Sequence, residues 1–459
     1  MLVTFGERWL QPARRSVRAL AAALALVALL APTMAAAGLI RDAEIEDLVG
    51  DMTTPVFQAA GLSPNGVRVY LVNSPDINAF VAGGANMFVH TGLLQKAERP
   101  EEVVGVLAHE TGHLAGGHLS RREGAMRRAT ADMLIAAALG VAAAVAGAPD
   151  AAGALIAGGQ HVAQANFLKF NRSQETAADQ AAVTYLDRIG MSSSGLVDVF
   201  RKLEQQNLLG SAAQNDYLST HPLTRDRITF VKQHAATSPH ANDPAPAAMV
   251  ERHNRARAKL DGFLDPPAKT LQRYAGDDTI AGQYARTIAH YRLPDMNEAL
   301  AGVDRLIATE PSNPFFHELK GQMLFENGRV REAIAPYEQS LALKPNEALF
   351  MVSLARAQIA SGDDELQAKA ITLLESATDI EPDYGLAWYM LGVAYGRSGD
   401  LGRSNLAFAE HALITRDLED ADLYLHKAEN HLPQGGSPER TQLAGLRQAV
   451  AEARSNLRQ

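Results

Sequence analysis

From about Ile280 onward, the 459-residue chain restates itself. Pro311, Pro345 and Pro382 stand 34 and 37 residues apart, and Ala299, Ala333 and Ala370 each precede one of them by 12 residues. The stretch "NPFFHELKGQMLFENGRVREAIAPYEQSLALKP" places Gly321, Ala333 and Tyr337 in this register. "GLAWYMLGVAYGRSGDLGRSNLAFAEHAL" places Trp388, Leu391, Gly392, Tyr395 and Phe408 there. A period of this length is one helix–turn–helix unit, whose apolar face can be buried only against the next unit. The small residues let the paired helices approach closely. The C-terminal part is therefore predicted to be an α-solenoid, with a concave face suited to peptides or proteins and no chemistry of its own.

The other end of the chain reads as an export signal. Arg14, Arg15 and Arg18 precede an apolar run over 19–31, and an A-x-A site follows at Ala35–Ala37. Cleavage before Gly38 and a periplasmic destination are expected, with a retained anchor as the alternative. The formal net charge is -9, which disfavours sequence-independent nucleic-acid binding. The chain has no cysteine, so any metal must be held by His and carboxylates.

Between these ends, residues 40–60 have the pattern of an amphipathic helix. "VRVYLVNSP" and "INAFVAGGANMFVHTGLL" have that of short strands with a turn at Gly83-Gly84. "AERPEEVVGVLAHETGHLAGGHLSRREGAMRRA" reads as one long helix. The Gly/Ala-rich stretch 133–159 reads either as a helical hairpin buried against protein or as a membrane-dipping segment. A further helix spans "NRSQETAADQAAVTYLDRIG". Residues 235–270, rich in Pro, Ala and Asn, look like a boundary that holds the helical pattern "MVERHNRARAKLDGF".

The chemistry is concentrated in "HETGH". Positions i and i+4 share a helix face, so His109 and His113 can point at one zinc ion. Glu110 is rotated by about 100° and can reach the open coordination position, where it would take a proton from a water acidified by the metal. His118, five residues past His113, falls off this face and reads as structural. A third ligand is needed. Glu175 is the candidate, with Asp179 one turn later able to fix the tautomer of a ligand histidine. Spacing alone leaves Glu175 equally open to being a solvated face residue.

The three motifs HETGH, NRSQETAAD and STHPLTRDR, in this order, resemble the HtpX/Oma-type zinc peptidases of family M48 over roughly residues 40–235. The C-terminal spacing resembles tetratricopeptide repeats. The resemblance implies a mainly α fold with an α+β catalytic part: a gluzincin-type HExxH domain with a small sheet, followed by the repeats. It implies one Zn2+ per chain on His109, His113 and Glu175, with Glu110 as general base and Asp179 in support. The family's H-P-x-x-x-x-R segment maps to His221, Pro222 and Arg227, with Thr224 where a proline is common. His221 is implied as a group that can cap the zinc and hold the enzyme latent, and "ANMFVHTGLL" as the edge strand beside the cleft.

The expected division is a signal peptide over 1–37, a zinc metallopeptidase domain over 38–235, connecting helices over 236–275 and repeats over 276–459. The export signal and repeats together resemble the branch of the family whose members act in outer-membrane protein quality control. The expected function is a periplasmic zinc endopeptidase with a chaperone-like role. Unfolded or stalled outer-membrane proteins would be its substrates, and the β-barrel assembly machinery its partner through the repeats. Peripheral membrane association through 133–159 is a further expectation. A non-proteolytic scaffold with a latent metal site is the alternative.

Overall fold

The computed structural model describes residues 38–145, 149–206, 208 and 216–457. The export signal expected over 1–37 lies outside them. Leu39–Ile40 (β1), Arg68–Val72 (β2), Ala79–Ala82 (β3) and Asn86–His90 (β4) form a four-stranded sheet in the order β1-β2-β4-β3. β2 and β4 are parallel, and the outer pairs are antiparallel. Gly83 and Gly84 make the β3–β4 turn with φ of 57° and 93°, values that L side chains rarely adopt. The strand in "ANMFVHTGLL" is not the edge strand expected from the sequence. β4 is interior, β3 forms the edge, and Thr91–Lys96 (α2) is helical. The parallel β2–β4 pairing, which no local alternation reveals, moves β4 inward.

Helices cover the sheet. Ala43–Ala59 (α1) is capped by Asp42, whose carboxylate accepts from the Ile45 amide. Pro100–Ala115 (α3) runs through the middle of the domain, and every residue from Pro100 to His113 is buried. The single long helix expected here is broken. Gly117 adopts φ 60°, which ends α3 and starts His118–Val145 (α4). Pro149–Arg188 (α5) packs back along α4 as a hairpin. Its distal half is not buried against protein: Leu134, Ile135, Val141 and Val162 are each about 60% exposed or more. Ser194–Gln206 (α6), Asp216–Thr220 (α7) and Arg225–Thr237 (α8) complete the domain. Its core draws Leu48, Met52, Phe57, Met87, Leu107, Leu186 and Phe200 from helices and sheet together.

Ala247–Leu264 (α9) and Pro267–Arg273 (α10) follow. α9 serves two cores, giving Ala256 and Leu260 to the first and Phe263 to that of the repeats. The repeats are four helix pairs: 280–292 with 296–309, 314–326 with 330–343, 348–360 with 364–380, and 385–397 with 401–414. Helices over 418–431 and 438–457 follow them. The small-residue register works as the sequence implied. Ala299, Ala333 and Ala370 are fully buried, and a Cβ on Gly321 or Gly392 would run into the rings of Tyr337 or Phe408. The array is a tetratricopeptide-type solenoid.

The solenoid grips the N-terminal domain at residues 41–47. Arg41 pairs with Glu381 at 2.8 Å and lies over the Tyr384 ring, while Asp47 accepts from Lys344 at 2.8 Å. Ala43 packs with Phe315 and Phe350. Buried Glu44 pairs with Arg255 of α9 and accepts from the Tyr284 hydroxyl at 3.0 Å. Ion pairs at this depth offset their own desolvation only when their hydrogen bonds are satisfied, as they are here.

Candidate metal centre

Three elements build the site. α3 carries His109, Glu110 and His113 on its last turns. α5 carries Glu175 and Asp179, and the segment around α7 and α8 carries His221 and Arg227. The first two elements meet because of Gly112. A Cβ there would stand 2.9 Å from the Ala178 carbonyl oxygen and 3.1 Å from its Cα, so only glycine lets the two helices come this close.

His109, His113, Glu175 and His221 each offer a ligand atom, and these atoms lie within 4.8 Å of one another. The Nε2 atoms of His109 and His113 are 3.1 Å apart, and each is 3.4 Å from a Glu175 carboxylate oxygen. Bond lengths of 2.0–2.1 Å in tetrahedral zinc sites imply ligand atoms about 3.3 Å apart. The histidine and carboxylate spacing fits that edge length. His221 lies with Nδ1 3.2 Å from Glu175 and Nε2 3.6 Å from Glu110, its ring stacked on buried Tyr217. Spacing left Glu175 open to a solvated position. It is buried and faces both histidines.

A second layer of contacts orients these groups. His109 Nδ1 is 2.9 Å from Asp179 Oδ1. Arg227 donates to both Asp179 oxygens, at 2.6 and 2.9 Å, and reaches Glu175 at 2.9 Å. Thr224, where the family often has proline, caps α8 by accepting from the Arg227 amide. His118, expected to lie off the face, is the residue that sequence reasoning misplaced. Its Nδ1 sits 3.0 Å from His113 Nδ1 because the break at Gly116-Gly117 turns it back toward the site. The two glycines were the available signal.

Burial works to lower the His109 pKa, but hydrogen bonds to Asp179 and Glu175 outweigh it and raise the value to about 9. Burial would raise the Glu175 carboxyl, yet His109 and His221 hold it well below the usual carboxylate range. Burial pushes His113 down, and burial with nearby Arg121 pushes His118 to about 4. Burial also raises Glu110, which is 0% exposed, and neither of its carboxylate oxygens has a hydrogen-bond partner among the described residues. A buried carboxylate that accepts no hydrogen bond, beside three imidazoles and a second carboxylate, is costly as structure alone. It is what a divalent cation and a water-activating base require. A cavity of about 140 Å³, lined by Glu110, His113, His221 and by Phe80 and Val81 of the edge strand, opens onto it.

Such a site, set in a helical domain with a small sheet, defines a metalloprotease. Residues 40–235 match the sequence profile of Peptidase family M48. The chain is 25% identical to the "Beta-barrel assembly-enhancing protease" of Yersinia pestis over 428 residues, covering 92% of this chain and 84% of that one. It is 24% identical to the protein of the same name from Escherichia coli strain K12, over 87% of this chain and 82% of that one. The "Mitochondrial metalloendopeptidase OMA1" of Arabidopsis thaliana is 31% identical over 43% of this chain and 36% of its own. Among solved structures, YrrB, "a TPR protein with an unusual peptide-binding site", overlaps 39% of this chain and 91% of its own at TM-score 0.32 and 15% identity.

Proposed function

We propose that this protein is a zinc-dependent endopeptidase that works in the periplasm on outer-membrane proteins during their assembly. The observation that carries the reading is the buried His109–His113–Glu175 triad with Glu110, which accepts no hydrogen bond among the described residues, beside it. When bound, zinc supplies a Lewis acid that polarises the scissile carbonyl and acidifies a water. His109, His113 and Glu175 would hold it, with Asp179 and His118 fixing the ring tautomers of the two histidines. Glu110 accepts the proton of the attacking water and returns it to the leaving nitrogen. The free edge of β3, with Phe80 and Val81 on the cleft, supports an extended substrate pairing by strand addition.

His221 is close enough to the other ligands to take the fourth position, which supports a latent resting state released when its loop moves. The residue assignment divides the chain into the metallopeptidase domain over 38–235, connecting helices over 236–275 and repeats over 276–459. The repeats would receive assembly components or stalled clients. The names of the relatives and the export signal read at residues 1–37 support the outer-membrane and periplasmic parts of this reading. Among the described residues, no helix is long and apolar enough to cross a membrane.

The test is hydrolysis of an unfolded protein by the chain from Gly38 onward, with and without chelator, beside Glu110→Gln. Cleavage that chelator abolishes, restored by zinc and absent in Glu110→Gln, supports the reading. Chelator-resistant cleavage, or full activity in zinc-bound Glu110→Gln, overturns it. A zinc-loaded His221→Ala chain that is still inert on every unfolded substrate would favour the scaffold alternative.

A further inference from the structure

The hairpin of α4 and α5 is built inside out for water. Half of the large exposed apolar side chains among the described residues lie on it, from Met126 to Leu168. Met133, Leu134 and Ile135 are consecutive and all exposed, so this part of α4 is apolar over more than one stripe. The two arms meet through small residues. A Cβ on Gly159 would collide with Ala136, and Ala163 is buried. A hairpin in water puts its large apolar residues between the arms, whereas helices in lipid pack through Gly and Ala and turn the large ones outward.

Toward the metal centre the hairpin surface becomes basic. Arg121, Arg122, Arg127 and Arg128 on α4 and Lys169 and Arg172 on α5 are all exposed. From His118 to Arg172 six basic residues face three acidic ones, in a chain whose formal net charge is -9. From Met133 to Val145 is about 20 Å of helix, enough for one leaflet and short of the hydrocarbon core of about 30 Å.

We infer that this hairpin is a monotopic anchor, which seats the exposed apolar residues of its distal half, from Met133 to Val141 and from Leu155 to Val162, in the surface leaflet of an anionic phospholipid bilayer with the arginine and lysine collar on the headgroups. The inference deepens the proposed function, on which it rests for one consequence. α4 starts at His118, against the metal centre, and Met133 lies about 22 Å further along the axis. The anchor therefore holds the cleft roughly 20 Å off the membrane and selects client segments that emerge at that height.

The chain from Gly38 onward would be floated with vesicles containing phosphatidylglycerol and, separately, with vesicles of phosphatidylcholine alone. Binding to the anionic vesicles is expected, weakened by salt. Arg127→Glu with Arg128→Glu should weaken it about tenfold or more, and Leu134→Asp with Ile135→Asp should abolish it. All variants should still cleave a soluble unfolded protein, and Glu110→Gln should bind vesicles as the wild type does. Loss of cleavage with intact flotation would therefore sink the protease reading and leave the anchor standing. No flotation with anionic vesicles overturns the anchor. So does concentration-dependent self-association, or capture of an unfolded outer-membrane protein without lipid, if Leu134→Asp with Ile135→Asp removes it and flotation is equal on both vesicle types.

Discussion

A close helix–helix approach lies inside the metal motif itself, and Gly112→Ala tests what it is for. The new Cβ would meet the Ala178 carbonyl oxygen at 2.9 Å, its Cα at 3.1 Å and the Ala181 Cβ at 3.2 Å. Two of these are backbone atoms, so no side-chain rotation relieves the contact. α3 and α5 must part by about 0.5 Å to restore ordinary van der Waals distances, and such overpacking costs about 1–3 kcal/mol. Glu175 lies one turn before Ala178 on the same helix and moves with it. Ligand distances are held to within about 0.2 Å, so zinc affinity should fall by about tenfold or more even though no ligand has changed. Competition with a chromogenic chelator reads the affinity, and thermal unfolding with excess zinc reads the packing cost. Wild-type zinc affinity together with a wild-type Tm would refute the claim that Gly112 sets the distance between the histidines and Glu175.

Other outcomes follow from the same coordinates. His221→Ala, with zinc retained, should raise basal proteolysis and self-cleavage, read by the appearance of fragments over time; unchanged latency would remove His221 from the latch. Glu44→Ala takes away the buried partner of Arg255 and the acceptor of the Tyr284 hydroxyl, while Arg255 keeps Glu251 at 3.0 Å, and it should cost about 1–3 kcal/mol, with a matching loss of Tm. His253 is fully buried, neither ring nitrogen has a hydrogen-bond partner among the described residues, and burial with nearby Arg257 and Lys202 lowers its pKa to about 3. The unfolded chain binds this proton near pH 6.5 and the folded one near 3, so stability is lost as pH falls below 6.5. The loss reaches about 2 kcal/mol at pH 5. His253→Leu should lack this increment in urea unfolding compared at pH 7.5 and 5, and a pH slope equal to that of the wild type would contradict the assignment.

What could be read in advance follows physical range. The repeats and the HETGH helix were legible because both are local periodicities, with small residues every 34–37 positions and two histidines one turn apart. Glu175 was legible only as a candidate, because its meeting with α3 depends on Gly112 and Ala178, far apart in sequence. His118 was misplaced because a single αL residue, Gly117, resets the helical phase. The edge strand was misassigned because the parallel β2–β4 register is a long-range choice. The grip of the repeats on residues 41–47 had no sequence signature, being a set of individually ordinary charges brought together by the fold.

The central claim is that His109, His113 and Glu175 hold one zinc ion. It is tested most directly by the zinc stoichiometry of the purified chain from Gly38 onward, measured by elemental analysis beside Glu175→Ala and Glu110→Gln. The account predicts one zinc per chain in the wild type and in Glu110→Gln, and none in Glu175→Ala. A full equivalent retained in Glu175→Ala, or no zinc in a folded wild-type chain supplied with it, would contradict the account.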